Sequence, residues 1–341
     1  MARRKDLKAH ARRLHRETLV ADIHTHMLLS VRYLGFDVRC RRRRQPRWSP
    51  LRNMTDLITI ERAIAGGLGL LVFTIYVFPT PWRRYRRAVL RTIDSFLALM
   101  DRYRGRAAHA RSIADVSRIR SEGQLACMLA LEGGHALEGD LAFLETLRER
   151  GITYLTLTHF INNELSGSST HPGSAVGLTP FGREVVRECN RLGILLDLSH
   201  CSEVAKLEAA SLSRQPVICS HTGLRRFVGA SRMASDAEVR VVAETGGLIG
   251  LMVSPLFVNG TRNAGVDDVV RGLAHVVEIA GEDHVCLGSD LDSGFPPPQG
   301  MEDIGDFQQI TEALVRSGFS DALIRKIWAE NFLGLLERVG W

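Results

Sequence analysis

Short apolar runs recur along the chain and alternate with longer segments that predict helices. Runs of this kind, bounded by glycine or polar residues, are typical of the buried strands of a parallel sheet. Eight strands are predicted, at residues 19–23, 68–77, 126–131, 154–158, 195–198, 217–219, 248–253 and 285–287. Helices are predicted between them, at residues 55–66, 82–104, 141–150, 180–192, from 202 onward, 237–245 and 266–280.

Eight strands that are each followed by a helix predict an α/β fold, a (β/α)8 barrel of the TIM type. Such a barrel fills 341 residues as one unit, so residues 1–341 are expected to form a single domain. Additional C-terminal helices, at 303–317 and 320–339, are expected to close the barrel and pack outside it. Residues 1–17 predict a basic N-terminal helix, and residues 35–50 an arginine-rich loop insertion.

Composition restricts the class of protein. A hydrophobic content of 45% with 24% charged residues is typical of a soluble globular domain and unlike a disordered or membrane chain. The longest apolar run, 68–78, is too short to span a bilayer, and we expect neither a signal peptide nor a membrane anchor. The six cysteines show no Cys-x-x-Cys spacing, which favours a reduced, cytoplasmic protein.

Charge is distributed unevenly along the chain. Residues 1–120 contain 27 Lys and Arg against 9 Asp and Glu, whereas residues 121–341 contain 17 against 29. This asymmetry raises the alternative of a non-catalytic protein that binds polyanions. Only four of the 44 basic residues are lysine, so a genomic arginine bias explains much of the excess. Since the arginines lack a recognition motif and interleaved aromatic residues, we expect no nucleic-acid partner.

Polar side chains with metal-binding chemistry follow the predicted strands at their carboxyl ends. The first strand leads into Asp22-Ile23-His24-Thr25-His26, where two histidines one residue apart point to the same side of an extended chain. The carboxyl end of the strands is the face on which barrels of this kind carry their active sites. Seven strand-end residues are therefore expected to converge there: His24, His26, Glu132, His159, His200, His221 and Asp290.

Imidazoles and carboxylates together favour zinc or a similar divalent ion. Four histidines and one carboxylate are too many ligands for one catalytic ion with an open position. Two ions about 3.5 Å apart, bridged by Glu132 and by water, would use all five. The bridging water would become a hydroxide nucleophile near neutral pH, and Asp290 would relay a proton to the leaving group.

At these residues the chain resembles the membrane (renal) dipeptidase family of metallopeptidases, peptidase family M19 of the amidohydrolase superfamily. The resemblance extends from about residue 21 to residue 339. It is carried by six motifs, taken together and in order: LEGGH at 131–135, LTH at 157–159, DLSH at 197–200, CSH at 219–221, GSDLD at 288–292 and WAENFL at 328–333.

The resemblance implies a dipeptidase that uses two zinc ions. One ion would be held by His24 and the residue two positions on, which is His26, the other by His200 and His221, with Glu132 as the bridge. It implies further that His159 steadies the oxyanion, that Asp290 handles the proton, and that Arg232 binds the carboxylate of the substrate. Guanidinium forms a bidentate pair with carboxylate, which agrees with this role for Arg232. The implied substrate is a small dipeptide that can carry a D-residue at its carboxyl end.

Two positions depart from the family pattern. His26 stands where the family usually has aspartate, which makes the site more positive by about one charge. In the seventh strand, Met252-Val253-Ser254-Pro255 replaces the usual family sequence. Another hydrolase of the same superfamily, a lactonase, a phosphoesterase or a metal-dependent deoxyribonuclease, is therefore the main alternative. Arg232 separates these cases, because a phosphoesterase could lose that arginine with little effect.

Other residues carry weaker expectations. Asp292 is expected to brace the turn after the eighth strand, and His135 either donates to groups behind the site or lies in a solvated loop. His109, His171, His275 and His284 are expected on the surface or on helices. The arginines at 41–44 are expected to overhang the pocket, where they could favour acidic substrates. Similar enzymes pair, so a homodimer is a further expectation.

Overall fold

A parallel barrel organises the chain. The computed structural model describes residues 2–29, 52–79, 84–171 and 175–341. Nine strands lie in this part of the chain: β1 (Val20–Thr25), β2 (Leu68–Tyr76), β3 (Ala107–His109), β4 (Leu125–Glu132), β5 (Ile152–Thr156), β6 (Leu195–Asp197), β7 (Val217–Thr222), β8 (Leu248–Leu251) and β9 (Val285–Leu287). Their order is β1-β2-β4-β5-β6-β7-β8-β9, and every neighbouring pair is parallel.

Hydrogen bonds between the first and the last strand region bring the two edges of the sheet together. The N–H of Asp290 donates to the carbonyl of His24 at 3.0 Å, and the N–H of His26 donates to the carbonyl of Leu291 at 3.0 Å. Thr25 and Leu291 form a parallel bridge. The predicted eight-stranded (β/α) barrel is therefore confirmed, and each predicted strand overlaps an observed one.

The ninth strand was not predicted. β3 pairs with the start of β4, so His109 lies opposite Cys127. The expectation that His109 lies on a helix or on the surface is therefore wrong, because this half-buried histidine belongs to a strand. A strand of three residues is too short to show a periodic pattern in the sequence.

Helices surround the barrel. The described helices are Ala2–Glu17, Arg52–Thr55, Ile60–Ala65, Tyr85–Arg102, Ile113–Ser121, Phe143–Glu149, Pro180–Leu192, Glu203–Leu212, Asp236–Glu244, Pro255–Val258, Val266–Ala280, Gln308–Arg316, Asp321–Arg325 and Asn331–Arg338, with a π-helical turn at Lys326–Glu330. The helix predicted at 55–66 begins later, at Ile60, where the Thr59 hydroxyl caps it, and the separate helix Arg52–Thr55 precedes it. Within the described ranges no helix is both long and apolar enough to cross a bilayer.

Local sequence explains where the longer helices begin and end. Pro180 stands in the first turn of its helix, and the Thr179 hydroxyl accepts the N–H of Gly182 at 3.0 Å. Gly193 ends this helix in the left-handed region, with a φ of 67°. Ser235 forms a complete capping box with Glu238 at the start of Asp236–Glu244. Caps of this kind satisfy backbone N–H groups that have no partner within the helix.

The core has two parts. One lies between the strands and the surrounding helices. The other fills the barrel where the strands begin, and includes side chains such as Ala21, Leu70 and Leu248 together with Phe332 and Leu335 of the last helix. The C-terminal helix therefore closes the end of the barrel opposite the predicted site, and the polar residues stay at the other end.

The barrel is irregular where it carries the polar side chains. The β7–β8 register shifts between Cys219 and Thr222, as in a β-bulge. Ser220 and His221 are the two residues within this shift. A Cβ at Gly288 would lie 1.9 Å from the carbonyl oxygen of Ser220, so only glycine allows this close approach. The arginine-rich loop at 35–50 lies outside the described residues.

Candidate functional site

The seven strand-end side chains meet at the carboxyl end of the barrel, around Glu132. Glu132 is the last residue of β4 and is completely buried. Five histidine Nε2 atoms lie within 3.8 Å of its oxygens: those of His24, His26, His159, His200 and His221. These residues are separated by up to about 200 positions in the sequence, and the parallel strands bring them together.

The first histidine pair consists of His24 and His26. Their Nε2 atoms are 3.2 Å apart, and the Nε2 of His26 lies 3.4 Å from Oε2 of Glu132. Asp290 approaches the same pair, with Oδ1 3.0 Å from Nε2 of His26 and 3.9 Å from Nε2 of His24. This group contains two imidazole nitrogens and two carboxylates.

The second pair consists of His200 and His221. Their Nε2 atoms are 2.9 Å apart and lie 3.1 Å and 3.4 Å from Oε1 of Glu132. Glu132 therefore presents one oxygen to the second pair and the other to His26. A carboxylate in this position can bridge two cations.

These residues fit divalent metal ions. Ligands on a tetrahedral ion with bonds of about 2.0–2.2 Å lie about 3.3–3.6 Å apart, close to the spacings within each group. Among the described residues, His24, His26 and Glu132 form one cluster with metal-ligand spacing, and Glu132, His159 and His200 form another. Within the described residues neither oxygen of Glu132 accepts a hydrogen bond, although both are buried. A buried carboxylate without donors is costly unless a cation neutralises it.

The charge states of Glu132 and of three histidines agree with cation binding. Burial raises the pKa of Glu132 to about 8, so its protein neighbours alone do not stabilise the carboxylate that a metal needs. Burial is also the main reason why the pKa values of His24, His200 and His221 lie well below the usual range. These imidazoles are neutral at pH 7 and offer a lone pair. For His26, burial is outweighed by the hydrogen bond to Asp290 and the charge of Glu132, so its pKa rises to about 9.

Asp290 is placed by an unusual backbone. Its φ of 58° lies in the left-handed region, which is uncommon for a residue with a side chain and is found at functional sites. Behind it, the N–H of Ser289 donates to Oδ1 of Asp22 at 2.9 Å, which joins the end of β9 to β1. Oδ1 of Asp290 is buried and lies 3.0 Å from Nε2 of His26, so this carboxylate faces the first histidine pair.

Arg232 lies beside the second histidine pair. Its Nη2 donates to the carbonyl of His221 at 3.0 Å and lies 3.3 Å from Nε2 of His200. Its Nη1 is buried and has no hydrogen-bond partner among the residues that the structure describes. A guanidinium that is anchored at one nitrogen and unpaired at the other can bind an anion.

Three residues behind the histidines were not singled out from the sequence. Tyr154 and Ser220 approach Nδ1 of His24 at 2.8 Å and 3.0 Å, and Asp197 accepts the hydroxyl of Ser220 at 2.7 Å. Asp197 could have been suspected, because it is a carboxylate inside the apolar run Leu195-Leu196-Asp197-Leu198. Nothing in the sequence marks Tyr154, whose side chain points into the barrel.

The hydrogen bonds of His135 and Asp292, the two weaker candidates, indicate structural roles. His135 is buried, and its Nε2 donates to the carbonyl of Val77 at 2.8 Å, so it does not lie in a solvated loop. Asp292 accepts the N–H of Leu57 at 2.9 Å, as expected for a residue that braces the turn.

A cavity of about 360 Å³ opens onto this centre. His26, His159, His200, Arg232 and Asp290 line it, together with the polar residues Tyr76, Thr170 and Ser293. The remaining lining is mostly apolar, and Phe257 and Phe295 pack edge to face there with ring centroids 4.8 Å apart. The apolar lining consists of Leu29, Met54, Phe78, Phe160, Val228, Ala230, Met233, Met252, Leu256, Phe257 and Phe295.

Sequence comparisons place these residues in a family context. A family model described as membrane dipeptidase (peptidase family M19) matches residues 8–340. Dipeptidase tcpJ of Claviceps purpurea (strain 20.1) is 31% identical over 304 residues, which cover 86% of this chain and 72% of that protein.

Solved structures agree with the fold. A metallopeptidase from Rhodobacter sphaeroides, crystallised with a phosphinate mimic of the dipeptide L-Ala-D-Ala, has a TM-score of 0.83 and 27% identity. The alignment covers 95% of this chain and all of that chain. The probable dipeptidase PvdM from Pseudomonas aeruginosa has a TM-score of 0.86 and 22% identity over 98% of both chains. At that identity, the similarity to PvdM supports the fold alone.

Proposed function

This chain belongs to the membrane dipeptidase family, peptidase family M19, and is a metal-dependent dipeptidase; on that premise we propose that it works with two divalent ions, expected to be zinc. The substrate is a small dipeptide whose amide bond is hydrolysed. The proposed ligands are His24, His26, Glu132, His200 and His221.

One observation carries this proposal. The two oxygens of Glu132 are buried and face nitrogens of both histidine pairs, and they accept no hydrogen bond from the described part of the chain. A single cation would leave one pair without a role. His26 stands where the family usually has aspartate, but its nitrogen has the same access to Glu132 as those of the second pair. We therefore include His26 among the ligands.

Bound divalent ions supply a nucleophile from water at neutral pH and polarise the carbonyl that it attacks. Asp290 borders the cavity beside His26, so its carboxylate accepts a proton from the attacking water and passes it to the leaving amine. His159 lines the same cavity, with Nε2 3.7 Å from Glu132, and stabilises the oxygen that becomes negative in the transition state.

Arg232 recognises the end of the substrate. Its unpaired Nη1 lies on the cavity wall, and a guanidinium binds a carboxylate through parallel hydrogen bonds. A free carboxylate one residue beyond the scissile amide defines a dipeptide. The size of the cavity agrees with this, because about 360 Å³ can hold a dipeptide and not a folded chain.

The cavity lining favours apolar side chains in the substrate. Met252, Phe257 and Phe295 offer no partner for a second carboxylate, which would lose its water on entering. This argues against a preference for acidic dipeptides within the described residues. The relative that was crystallised with an L-Ala-D-Ala mimic supports L-Xaa-D-Xaa dipeptides as the first substrates to test.

The test is metal content by mass spectrometry on protein purified without chelator, combined with hydrolysis of a panel of dipeptides. We expect about two metal ions per chain. We expect kcat/KM to be about 10-fold or more higher for L-Ala-D-Phe than for L-Ala-D-Asp, because burial of an apolar side chain is worth about 1–3 kcal/mol. Asp290→Asn should reduce kcat by about 10²–10⁴-fold while the metal content stays unchanged.

Each part of the test can fail separately. One ion per chain would contradict the binuclear centre, and unchanged kcat in Asp290→Asn would remove the proton transfer from that residue. A preference for L-Ala-D-Asp would contradict the apolar selection and point to basic groups beyond the described residues.

A further inference from the structure

We propose that Asp197 and Ser220 are positioning residues that fix the tautomers of two histidines. They hold His221, and together with Tyr154 they hold His24, in the tautomer whose Nε2 lone pair faces the metal centre. This inference rests on the proposed metal-binding function, which it deepens. It concerns which ring nitrogen carries the proton, and it therefore differs from the choice of ligands.

Asp197 is a saturated acceptor at the base of the site. Its Oδ1 accepts the N–H of Ser199, the hydroxyl of Ser199 and the N–H of Ser220, at 3.1 Å, 2.5 Å and 2.8 Å. Its Oδ2 accepts the hydroxyls of Thr156 and Ser220 at 2.6 Å and 2.7 Å. A carboxylate that accepts five hydrogen bonds orients every donor around it.

The hydroxyl of Ser220 is the link between Asp197 and the histidines. A serine hydroxyl has one hydrogen and two lone pairs. Since the carboxylate can only accept, the hydrogen points to Asp197, and the lone pairs are left for Nδ1 of His221 at 2.9 Å and Nδ1 of His24 at 3.0 Å. Both contacts therefore require a proton on Nδ1.

The hydroxyl of Tyr154 fixes the tautomer of His24 in the same way, and it contacts His24 alone of the two histidines. Its hydroxyl donates to the carbonyl of Ile23 at 2.8 Å, so its oxygen accepts from Nδ1 of His24, also at 2.8 Å. His24 thus has two acceptors at Nδ1. Within the described residues, His221 has one acceptor at Nδ1, the hydroxyl of Ser220. The tautomer of His221 is expected to be the more sensitive of the two.

Fixing the tautomers of His24 and His221 affects both groups of proposed ligands. His24 belongs to the first pair and His221 to the second, and a neutral imidazole binds a metal through the nitrogen that has no proton. Although His24, Asp197 and His221 also have metal-ligand spacing, Ser220 lies between them, and we interpret this cluster as a hydrogen-bond network.

The decisive variant is Asp197→Asn. The three donors at Oδ1 keep the amide oxygen there, so the NH₂ group takes the place of Oδ2 beside Ser220. Ser220 must then accept from Asn and turn its hydrogen toward Nδ1 of His221. The proton of His221 moves to Nε2, and the ion held by His200 and His221 is lost preferentially.

Two measurements test this. Nitrogen-15 NMR of the metal-free full-length chain reports the tautomer of each histidine, and competition with a chelator reports the affinity of each ion. In the wild type, His24 and His221 should both carry the proton on Nδ1. Asp197→Asn should shift the signals of His221 to the other tautomer, spare His24, and weaken one of the two ions by about 10–100-fold.

Matched variants distinguish positioning from packing. Thr156→Val removes the other donor to Oδ2 of Asp197 and should leave both tautomers and both affinities unchanged. Tyr154→Phe should affect His24 alone. If Asp197→Asn does not fold, Ser220→Ala offers a second route, since it should leave the tautomer of His221 unfixed.

An unchanged His221 tautomer in both Asp197→Asn and Ser220→Ala would overturn the inference. Equal weakening of both ions would also overturn it, as a general loss of structure would produce that result. Absence of metal from the wild type would refute the proposed function instead, and the tautomers of the metal-free chain would remain measurable.

Discussion

Two buried glutamates, Glu132 and Glu238, have the same side chain and opposite surroundings. Glu238 is 2% exposed, and its oxygens accept from Nζ of Lys206 at 2.8 Å, Nη2 of Arg225 at 3.1 Å and the N–H of Ser235 at 2.7 Å. Glu132 is 0% exposed and accepts no hydrogen bond from any residue that the structure describes. The fold supplies the hydrogen-bonded cations for Glu238, whereas most of the imidazoles that face Glu132, those of His24, His200 and His221, are neutral.

The pKa values of the two glutamates move in opposite directions for this reason. Burial tends to raise the pKa of Glu238, but the charge and hydrogen bond of Lys206 outweigh it, and the pKa is lowered. Burial raises the pKa of Glu132 to about 8. The cluster around Glu238 contains its own cations and stabilises the fold. The cluster around Glu132 has no such hydrogen-bonded cation, which is typical of a site that binds a ligand.

The largest effect is expected from Glu132→Gln. It should weaken metal binding by at least about 100-fold, because loss of the bridge exceeds the effect of removing a group behind a ligand. The unfolding free energy of the metal-free chain should stay the same or rise, since a neutral amide is less costly to bury than an unpaired carboxylate. Competition with a chelator and urea denaturation measure the two quantities.

Glu238→Gln is the matched control for this experiment. It should leave metal affinity within about twofold of the wild type and lower stability, because Lys206 loses its countercharge in a buried place. If Glu132→Gln lowered the stability of the metal-free chain as much as Glu238→Gln does, the contrast between the two glutamates would be wrong.

A second prediction concerns the ion pair itself. Lys206→Met should lower the unfolding free energy by about 3–5 kcal/mol, since it leaves Glu238 buried without its closest cation. The double variant Lys206→Met/Glu238→Leu should recover most of this loss, because apolar side chains of similar volume replace a buried pair well. Urea denaturation of the three proteins measures both effects, and a double variant as unstable as the single one would contradict the prediction.

The smallest effect is the dependence of stability on pH. The pKa of Glu132 is higher in the folded chain than in the unfolded chain, so its contribution is present at low pH and is lost as the pH rises through about 8. The pKa of Glu238 is lower in the folded chain, so its contribution is present above the unfolded value and is lost as the pH falls through the folded one.

Denaturation of the metal-free chain at several pH values tests these opposite signs. Between pH 5 and pH 8 the wild type should lose stability relative to Glu132→Gln. Below about pH 4 it should lose stability relative to Lys206→Met/Glu238→Leu. Parallel curves for all three proteins would show that neither glutamate has the surroundings described above.

Much of the fold could be predicted because its signals are local. A buried strand such as Leu125–Glu132 appears as a continuous apolar run, and the alternation of strands and helices allows few arrangements other than a barrel. In a parallel barrel all carboxyl ends lie on one face, so His24, Glu132 and His221 could be expected together. The three-residue strand β3 and the bulge after Cys219 could not, because pairing with neighbours decides them.

The sequence by itself determined the eight barrel strands, most of the helices and the chemical groups at the strand ends, since these depend on residue type and on order along the chain. Only the tertiary structure decided that Glu132 faces imidazoles while Glu238 meets Lys206, and that Ser220 aims its hydrogen at Asp197. The reason is physical: protonation, tautomer and charge are set by groups within a few ångströms, and folding brings those groups from distant parts of the chain.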